Sequence, residues 1–445
     1  MPAKPLDILG IGIGPFNLGL ACLVRPIKSV DCLFVERNEE FAWHGGTLIE
    51  TATLQTPFLC DLVTLADPTS PFSLLNYFKE TGRIYTFYAV LIDTANFFLP
   101  RNEFNAYFRW AAAKLDTLQF NRSVDMVTHD SATGLYRVTA RNRKTDQPVN
   151  YLTRRLVLAS GMTPAVPEVC VAHKDRIVHS SDYLANRDKL RTKRSITIVG
   201  SGQSAAEIYH DLLSDIDRHG YRLTWITRSP RLIPRELTKQ TLQMTTPDYT
   251  DYFFSLPRAK REALITELKG VYQGINPSLI NDIMDLRYRK LLTGRIEADL
   301  IANTEIAGCR YDAARDRFYL NFFQREEEQH FEHETDALVL GTGYRWQRPA
   351  YLDGIADRIN WTENGRFAVD RNCAIDKAGS EIFVSNSEIH ADSFIPPDLG
   401  QACHRNSIIL AKILGHEPYS IERKVAFQRF SAPSAADVAP VPVRA

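Results

Sequence analysis

The sequence lacks cysteine pairs at the spacing of a disulfide, redox or metal motif. Its seven cysteines are odd in number and widely spaced, and no CxxC or CxxxxC pair occurs among them. Patterns of this kind are typical of reduced thiols in the cytoplasm rather than of a disulfide-stapled secreted domain. No metal site is predicted either.

The sequence also lacks an excess of charge and a long apolar run. Lys+Arg and Asp+Glu both number 53, so the charge suggests no nucleic-acid partner. No apolar run approaches the roughly 18 to 20 residues of a membrane span, and the first residues lack signal-peptide features. At 445 residues the chain exceeds one ordinary hydrophobic core, so we expect two or three domains of a cytoplasmic protein.

What the sequence does contain is two segments with the order strand, glycine turn, helix, strand. The first has strands at 7–12 and 31–36 and a helix that ends near Val24, and the second begins at Ser195. Each segment is typical of a dinucleotide-binding unit. The predicted fold class is therefore α/β, with two Rossmann-like domains.

The first turn, GIGPFN, indicates FAD. Gly12 allows a tight turn, and Gly14 lets the backbone approach a pyrophosphate at the helix N-terminus. Glu36 ends the next strand, where an acid typically binds a ribose hydroxyl without a 2′-phosphate. A chance glycine turn is the alternative for a lone match, but here the strand, the helix and the acid occur together.

The second turn, GSGQSA, indicates NADPH. Gly200 and Gly202 repeat the spacing, but the following strand ends at Arg228 rather than at an acid. A guanidinium can bind the 2′-phosphate of NADPH bidentately. Because Arg228 could also be an ordinary solvated arginine, the preference for NADPH over NADH depends on this one residue.

Two further segments, 154–167 and 335–349, read as strands that end in small residues and glycine, as expected where the chain crosses between two dinucleotide domains. We expect a discontinuous FAD-binding domain at 1–168 and 346–431 and an NADPH-binding domain at 169–345. Within the latter, a helical insert at about 235–295 is a candidate substrate lid or subunit contact. Residues 432–445 are expected to form a disordered tail.

A chain with both cofactor sites but no cysteine pair does not fit the disulfide reductases. A flavin monooxygenase needs no protein nucleophile, because reduced flavin itself activates oxygen. Segments along nearly the whole chain resemble the siderophore-pathway N-hydroxylating monooxygenases, which hydroxylate the side-chain amine of ornithine or lysine or the amine of a free diamine. These segments are GIGIGPFNLGLA (10–21), FAWHGGTLIE (41–50), LQTPFLCDLVTLADPTSPFSLLNYF (54–78), EFNAYFRWAA (103–112), HSSDY (179–183), GSGQSAAE (200–207) and GTGYR (341–345).

The resemblance implies that NADPH reduces FAD, that oxygen adds to form a C4a-hydroperoxide, and that a neutral amine attacks it. It also implies that Trp43, His44 and Gln55 lie beside the flavin, that Gln55 is catalytic, and that the protein is a homo-oligomer, either a dimer or a tetramer. The predicted cofactor-binding residues are Gly12, Gly14, Pro15, Asn17, Glu36, Trp43, His44, Gln55, Gly200, Gly202, Gln203, Ser204, Arg228, Thr342 and Tyr344.

Cys60 is the departure from the family that indicates the substrate. In the ornithine and lysine hydroxylases that this chain resembles, a lysine here pairs with the substrate α-carboxylate, and an assisting asparagine is absent from the matching segment 232–236. A neutral thiol cannot replace that contact, and an unpaired buried carboxylate is costly. We therefore expect a diamine, putrescine or cadaverine, with Cys60 and Glu236 as substrate residues and Asp248 as a further candidate. The serine that contacts the amine in relatives falls at Gly400.

Three alternatives stay open from the sequence. The same chemistry could act on lysine or ornithine, if another cation replaces the missing lysine. The chain could be a noncatalytic flavoprotein that senses redox state, although the retained motifs argue against this. A carbon-oxidising flavin monooxygenase is the third, but only half of its signature is present, at His179 and Tyr183.

Overall fold

Strands and helices alternate through both glycine-turn segments. The computed structural model describes residues 4–91, 98–294, 296–385 and 398–433. Its strands are β1 (Leu6–Ile11), β2 (Cys32–Val35), β3 (Leu118–Gln119), β4 (Arg122–Asp130), β5 (Leu135–Asn142), β6 (Pro148–Leu158), β7 (Thr163–Pro164), β8 (Val178–His179), β9 (Ser195–Val199), β10 (Arg222–Ile226), β11 (Ala298–Ile301), β12 (Thr304–Asp312), β13 (Arg317–Gln324), β14 (Gln329–Thr335), β15 (Ala337–Leu340), β16 (Tyr344–Arg345) and β17 (Ile382–Val384). Its helices are α1 (Pro15–Val24), α2 (Leu74–Glu80), α3 (Ile84–Leu91), α4 (Arg101–Ala113), α5 (Tyr183–Arg191), α6 (Gln203–His219), α7 (Pro247–Ser255), α8 (Arg258–Glu267), α9 (Lys269–Gln273), α10 (Pro277–Thr293) and α11 (Ala402–Leu414).

The first sheet carries the first glycine turn. Strand β1 lies between β2 and β6 in parallel register, β3 extends the sheet beyond β2, and β17 pairs in parallel with the end of β6. The antiparallel strands β4 and β5 continue from the first half of β6. In a parallel sheet the ligand crevice lies outside the carboxyl ends of the strands, which is where Gly12 follows β1.

The second sheet is parallel throughout, in the order β11-β10-β9-β15-β8, and Gly200 follows β9. The strands and helices that were predicted around both glycine turns are present within one or two residues, so the prediction of two Rossmann-like units is confirmed. The sequence interpretation did not include the antiparallel sheet β12-β13-β14, which packs beside the second sheet.

The two segments that connect the sheets lie side by side. Strand β7, after the first sheet, pairs antiparallel with β16, after the second. Thr342 Oγ1 donates to the Ala165 carbonyl at 2.5 Å, and the Ala165 amide donates to the Gly343 carbonyl at 2.9 Å. The second sheet is thus inserted between β6 and β17 of the first. The exact domain boundaries at 168 and 346 stay a prediction.

Helices α7 to α10 lie within the helical insert predicted at about 235–295, and the first of them begins at Pro247. Helix α10 packs against α6 of the second sheet through residues such as Ile283. None of the helices in the described ranges has the length and apolar character of a membrane span. Most of the predicted tail, 434–445, lies outside the described residues.

Candidate active site

The turn after β1 has the shape of a pyrophosphate site. Gly12 has φ +91°, and a Cβ there would lie 2.4 Å from the Ala159 carbonyl oxygen, so a side chain is excluded. A Cβ on Gly14 would meet nothing within 4 Å. No side chain caps α1, and Pro15 at its first position has no N–H to satisfy. The open space at this helix N-terminus therefore fits an anionic group.

Two polar side chains fix the geometry of this turn. Asn17 replaces the third glycine of the motif, is fully buried, and donates from Nδ2 to the Gly12 carbonyl at 2.8 Å. Glu36 accepts the Ile13 amide at 2.9 Å and the Asn38 amide at 2.9 Å. The carboxylate is therefore held beside the turn, with further lone pairs for the hydroxyls of a ribose. These residues fit FAD as predicted from the sequence.

The second turn depends on a close approach of small residues. A Cβ on Gly200 would lie 2.3 Å from the Gly341 carbonyl oxygen, and a Cβ on Gly341 would lie 2.7 Å from the Ala205 Cβ. A Cβ on Gly202 would meet nothing within 4 Å, at the uncapped N-terminus of α6, where Ser204 is half-buried. This open space fits the pyrophosphate of NADPH.

The predicted NADPH residues Arg228 and Gln203 are placed differently. Arg228 is exposed just after β10, and Thr227 beside it donates from Oγ1 to the Ser201 Oγ of the turn at 2.7 Å. The Gln203 carboxamide is instead committed to the protein. Its Nε2 donates to Glu207 at 2.9 Å, and its Oε1 accepts the Asn276 amide at 2.8 Å. Arg228 is therefore available to a ligand, whereas the Gln203 side chain is hydrogen-bonded to the residue that precedes α10.

The two domains meet at the motifs FAWHGG and HSSDY. A Cβ on Gly46 would lie 1.9 Å from the Ser181 carbonyl oxygen, so the two backbones are in direct contact. His179 accepts the Ser181 amide at Nδ1 (3.1 Å), which leaves Nε2 to donate to the Gly343 carbonyl at 3.0 Å. The His179 and Tyr344 rings pack edge to face with centroids 5.4 Å apart. Tyr344 thus packs on HSSDY, the motif whose backbone contacts FAWHGG.

Trp43 and His44 form a packed pair at this junction. Their ring centroids are 4.4 Å apart, and His44 has the left-handed backbone conformation, with φ +54°. Desolvation by neighbouring protein atoms and then the Arg101 charge lower the pKa of the His44 imidazole to about 3, although the residue keeps substantial solvent exposure. The imidazole is therefore neutral at physiological pH. A neutral ring beside the junction suits contact with a flavin, but that contact stays a prediction.

A buried ion pair that the sequence interpretation missed crosses the same junction. Arg101, at the start of α4, binds Glu207 of α6 bidentately at 2.9 and 2.7 Å and also donates to the Thr47 carbonyl at 2.6 Å. Both side chains are at least nine-tenths buried. A signal was present in the sequence, because Glu207 lies on the apolar face of an amphipathic helix and a buried carboxylate needs a partner.

Gln55 is held by a second residue that was not singled out, Arg235. The Arg235 Nη1 donates to the Gln55 backbone carbonyl at 3.0 Å and to the Gln55 Oε1 at 3.2 Å. The Gln55 Nε2 is buried and has no partner in the part of the chain that the structure describes. Since Arg235 fixes the oxygen, the amide N–H groups are directed to a missing acceptor, which fits the predicted position of Gln55 beside the flavin.

Cys60 lies with Gly400 and Asp398. A Cβ on Gly400 would be 3.1 Å from the Cys60 Sγ and 3.3 Å from the Asp398 Oδ1, so the thiol and the carboxylate are near neighbours. Burial and then the Asp398 charge raise the pKa of the Cys60 thiol, which is therefore neutral. Asp398 also acts on Arg235, where burial lowers the pKa and Asp398 raises it. The structure thus adds a carboxylate to the predicted substrate region.

The two other predicted substrate carboxylates make contacts with other parts of the chain. Glu236 is exposed, and its Oε1 lies against Gly270, where a Cβ would approach it to 2.5 Å. Asp248 accepts the backbone amides of Val425 and Ala426 at 2.7 and 3.1 Å. A substrate role of Glu236 stays a prediction, whereas Asp248 already has a structural task.

Comparisons with known proteins identify the family of the chain. A family model described as L-lysine 6-monooxygenase/L-ornithine 5-monooxygenase matches residues 4–346. A putrescine N-hydroxylase from Shewanella oneidensis is 47% identical over 431 residues, which cover 97% of this chain and 85% of the relative. An alcaligin biosynthesis enzyme from Bordetella pertussis is 46% identical over 428 residues, which cover 96% of this chain and 92% of the relative.

Among solved structures, the FAD-bound cadaverine monooxygenase of the desferrioxamine biosynthetic pathway from Erwinia amylovora is 48% identical, with a TM-score of 0.93. The match covers 97% of this chain and 100% of that chain. The resemblance inferred from the sequence motifs is confirmed. The chain belongs to the L-lysine 6-monooxygenase/L-ornithine 5-monooxygenase family of flavin-dependent N-hydroxylating monooxygenases.

Proposed function

We propose that this protein uses FAD, NADPH and O2 to N-hydroxylate a diamine, putrescine or cadaverine, in hydroxamate siderophore biosynthesis. The observation that carries the choice of substrate is the cluster of Cys60, Gly400 and Asp398. It offers a neutral thiol and a carboxylate where a lysine would pair with an amino-acid carboxylate. The putrescine, alcaligin and cadaverine relatives support the same choice.

The charges of the site suit a diamine that carries one positive charge. A free diamine has two ammonium groups with pKa values of about 10.4, and only a neutral amine is nucleophilic. Asp398 can balance the distal ammonium, while the half-buried Arg235 guanidinium disfavours a second positive charge nearby. The site would therefore bind the distal end as an ammonium and favour loss of the proton from the reacting amine.

The remaining residues hold the two cofactors. Glu36 and the open turn at Gly14 would hold FAD, and Gly202 with Arg228 would hold NADPH. Bound FAD, once reduced by NADPH, supplies the electrons and the oxygen chemistry. The protein positions this chemistry through Gln55 and excludes water at the junction between the domains.

The substrate proposal is tested by supplying the purified protein with NADPH and, in parallel, with putrescine, cadaverine, lysine or ornithine. Hydroxylamine product and NADPH consumption are both measured. We expect product from a diamine and little from the amino acids. Greater product from lysine or ornithine would contradict the diamine proposal, and NADPH oxidation without product from any amine would contradict N-hydroxylation.

Asp398→Asn removes the negative charge of the side chain but keeps its hydrogen bond to the backbone. Asp398 Oδ1 accepts the Gly400 amide at 2.9 Å, and the asparagine oxygen can still accept it. We expect the KM for the diamine to rise by roughly 10- to 100-fold, as a charge-assisted contact of about 1.5 to 3 kcal/mol is lost. Asp251→Asn, another acid that is paired at the surface with Arg371, is the matched control. An unchanged KM in Asp398→Asn would exclude Asp398 from ammonium binding.

Lysine or ornithine is the second candidate substrate, and Arg235 is the observation that favours it. Its buried Nε has no partner in the described ranges, so the guanidinium could pair with an α-carboxylate. Its Nη1 is already committed to Gln55, however, and Asp398 opposes a second anion nearby. The substrate panel above decides between the two candidates.

We further propose that the protein is a cytoplasmic homo-oligomer, either a dimer or a tetramer. The even charge balance and the absence of a membrane-span helix in the described ranges are compatible with this location. Sedimentation velocity of the purified protein measures the oligomeric state directly.

A further inference from the structure

Helix α10 has an exposed apolar stripe. Its members are large side chains with substantial exposed fractions: Met284 (42%), Tyr288 (64%), Leu291 (60%) and Leu292 (70%). They stand at positions i, i+4, i+7 and i+8, so they share one face of the helix. Scattered exposed apolar residues are ordinary, but a continuous group of this kind marks a contact surface.

The inner side of α10 is firmly anchored by the residues that precede members of the stripe, so the apolar stripe cannot turn inward. Ile283 is fully buried in the core that α10 shares with α6. Lys290 is buried and pairs with Asp217, and Arg287 bonds to the Tyr209 hydroxyl. The orientation of the helix, with its stripe outward, is therefore part of the fold.

The charges beside the apolar stripe indicate what covers it. Asp285 and Arg289 are both exposed on one flank of the stripe, the acid nearer the N-terminus and the base nearer the C-terminus. Neither forms an ion pair within the part of the chain that the structure describes. In an antiparallel pair of identical helices the same flanks meet in opposite directions, so each Asp285 would face Arg289 of the second copy. In a parallel two-fold pair the same flanks lie on opposite sides of the contact, so Asp285 and Arg289 of the two copies would not meet.

We propose that the apolar stripe of α10 docks on the same stripe of a second copy of this chain, antiparallel across a two-fold axis. This inference builds on the proposed homo-oligomer and names its contact. The helix that carries the stripe begins at the second glycine turn, because Asn276, directly before α10, donates its backbone amide to Gln203. A second copy bound at the apolar stripe would stabilise α10, which follows the segment that contains Arg235.

Sedimentation velocity of the holoenzyme, with Leu292→Asp and the control Met126→Asp, tests the stripe. Met126 is half exposed on β4, in the first sheet and outside the helical insert. We expect Leu292→Asp to lower the assembly mass by one two-fold step and the control to leave it unchanged. An oligomer that both variants retain would overturn the contact but not the oligomer, whereas a monomeric wild type would overturn both.

A charge swap tests the antiparallel orientation. Asp285→Arg and Arg289→Asp should each weaken association by about tenfold or more, because each places like charges opposite one another. The double variant should restore most of the affinity, since it exchanges the two charges. Failure of the double variant to recover affinity, with circular dichroism unchanged, would exclude the antiparallel contact. Hydroxylamine formation in these variants reports separately on the proposed function.

Discussion

Arg235→Gln is expected to uncouple NADPH oxidation from hydroxylation. Arg235 holds the Gln55 side chain by a charge-assisted hydrogen bond of 3.2 Å and its backbone by another of 3.0 Å. A bond to a charged donor contributes about 1.5 to 3 kcal/mol. Since about 1.4 kcal/mol corresponds to a factor of ten, the observed Gln55 orientation is favoured by roughly 10- to 100-fold. We expect the rate of product formation to fall by up to that factor.

The assay measures hydroxylamine, hydrogen peroxide and NADPH oxidation in one sample. The fraction of NADPH that yields hydroxylamine should fall in Arg235→Gln and recover partly in Arg235→Lys, which keeps the charge but not the planar fork. The KM for the diamine should not rise, because Asp398 remains and loses a nearby cation. Lys239→Gln, an exposed charge in the same segment, is the control.

The opposite pattern would refute this reasoning. A large rise in the KM for the diamine with an unchanged yield of hydroxylamine per NADPH would assign Arg235 to substrate binding rather than to positioning of Gln55. An unchanged yield and an unchanged KM together would show that Gln55 needs no support from Arg235. Either result is distinct from misfolding, which circular dichroism and flavin content would reveal.

Three further predictions follow from the two glycine turns and the junction. Arg228→Ala should raise the KM for NADPH by roughly 10- to 100-fold while the KM for NADH stays unchanged, because only NADPH carries the 2′-phosphate; equal changes for both would exclude this role. Arg101→Met should lower the free energy of unfolding by about 3 to 5 kcal/mol in urea, since Glu207 is left as an unpaired buried charge, and Glu207→Gln in the same chain should recover part of it. Gly46→Ala should lower the free energy of unfolding by about 1 to 3 kcal/mol, because the new Cβ has no room beside the Ser181 carbonyl oxygen. Gly45→Ala, where a Cβ meets nothing within 4 Å, should have the melting temperature of the wild type.

The sequence predicted those features that depend on local pattern. The strands before Gly12 and Gly200, the helices after them, and the acid at Glu36 could be read because each lies within one short βαβ unit. The family motifs then led to Gln55 and Cys60. Both were informative because the residue type at one position carries the chemistry.

The helical pattern could mark Glu207 as a buried carboxylate, but the partners of the supporting residues could not be predicted, because their contacts join distant parts of the chain. Arg235 reaches Gln55 across 180 positions, and Arg101 reaches Glu207 across 106. One sequence does not indicate which of its 53 lysines and arginines turns inward. Asp398 was missed for the same reason, since only the folded chain brings it beside Cys60.

The paired strands β7 and β16 determine what can happen when the two domains move. The chain passes between the two domains twice at one place, and the two connecting segments are hydrogen-bonded to each other. The NADPH-binding domain is therefore connected by a pair of strands rather than by one flexible linker. If a junction contact such as Arg101–Glu207 were lost, the two domains could rotate about these paired strands, but they could not separate. The paired connection keeps each cofactor site at a high effective concentration relative to the other. Reassembly of the domain junction after each rotation is thus an intramolecular event, and its probability does not depend on protein concentration.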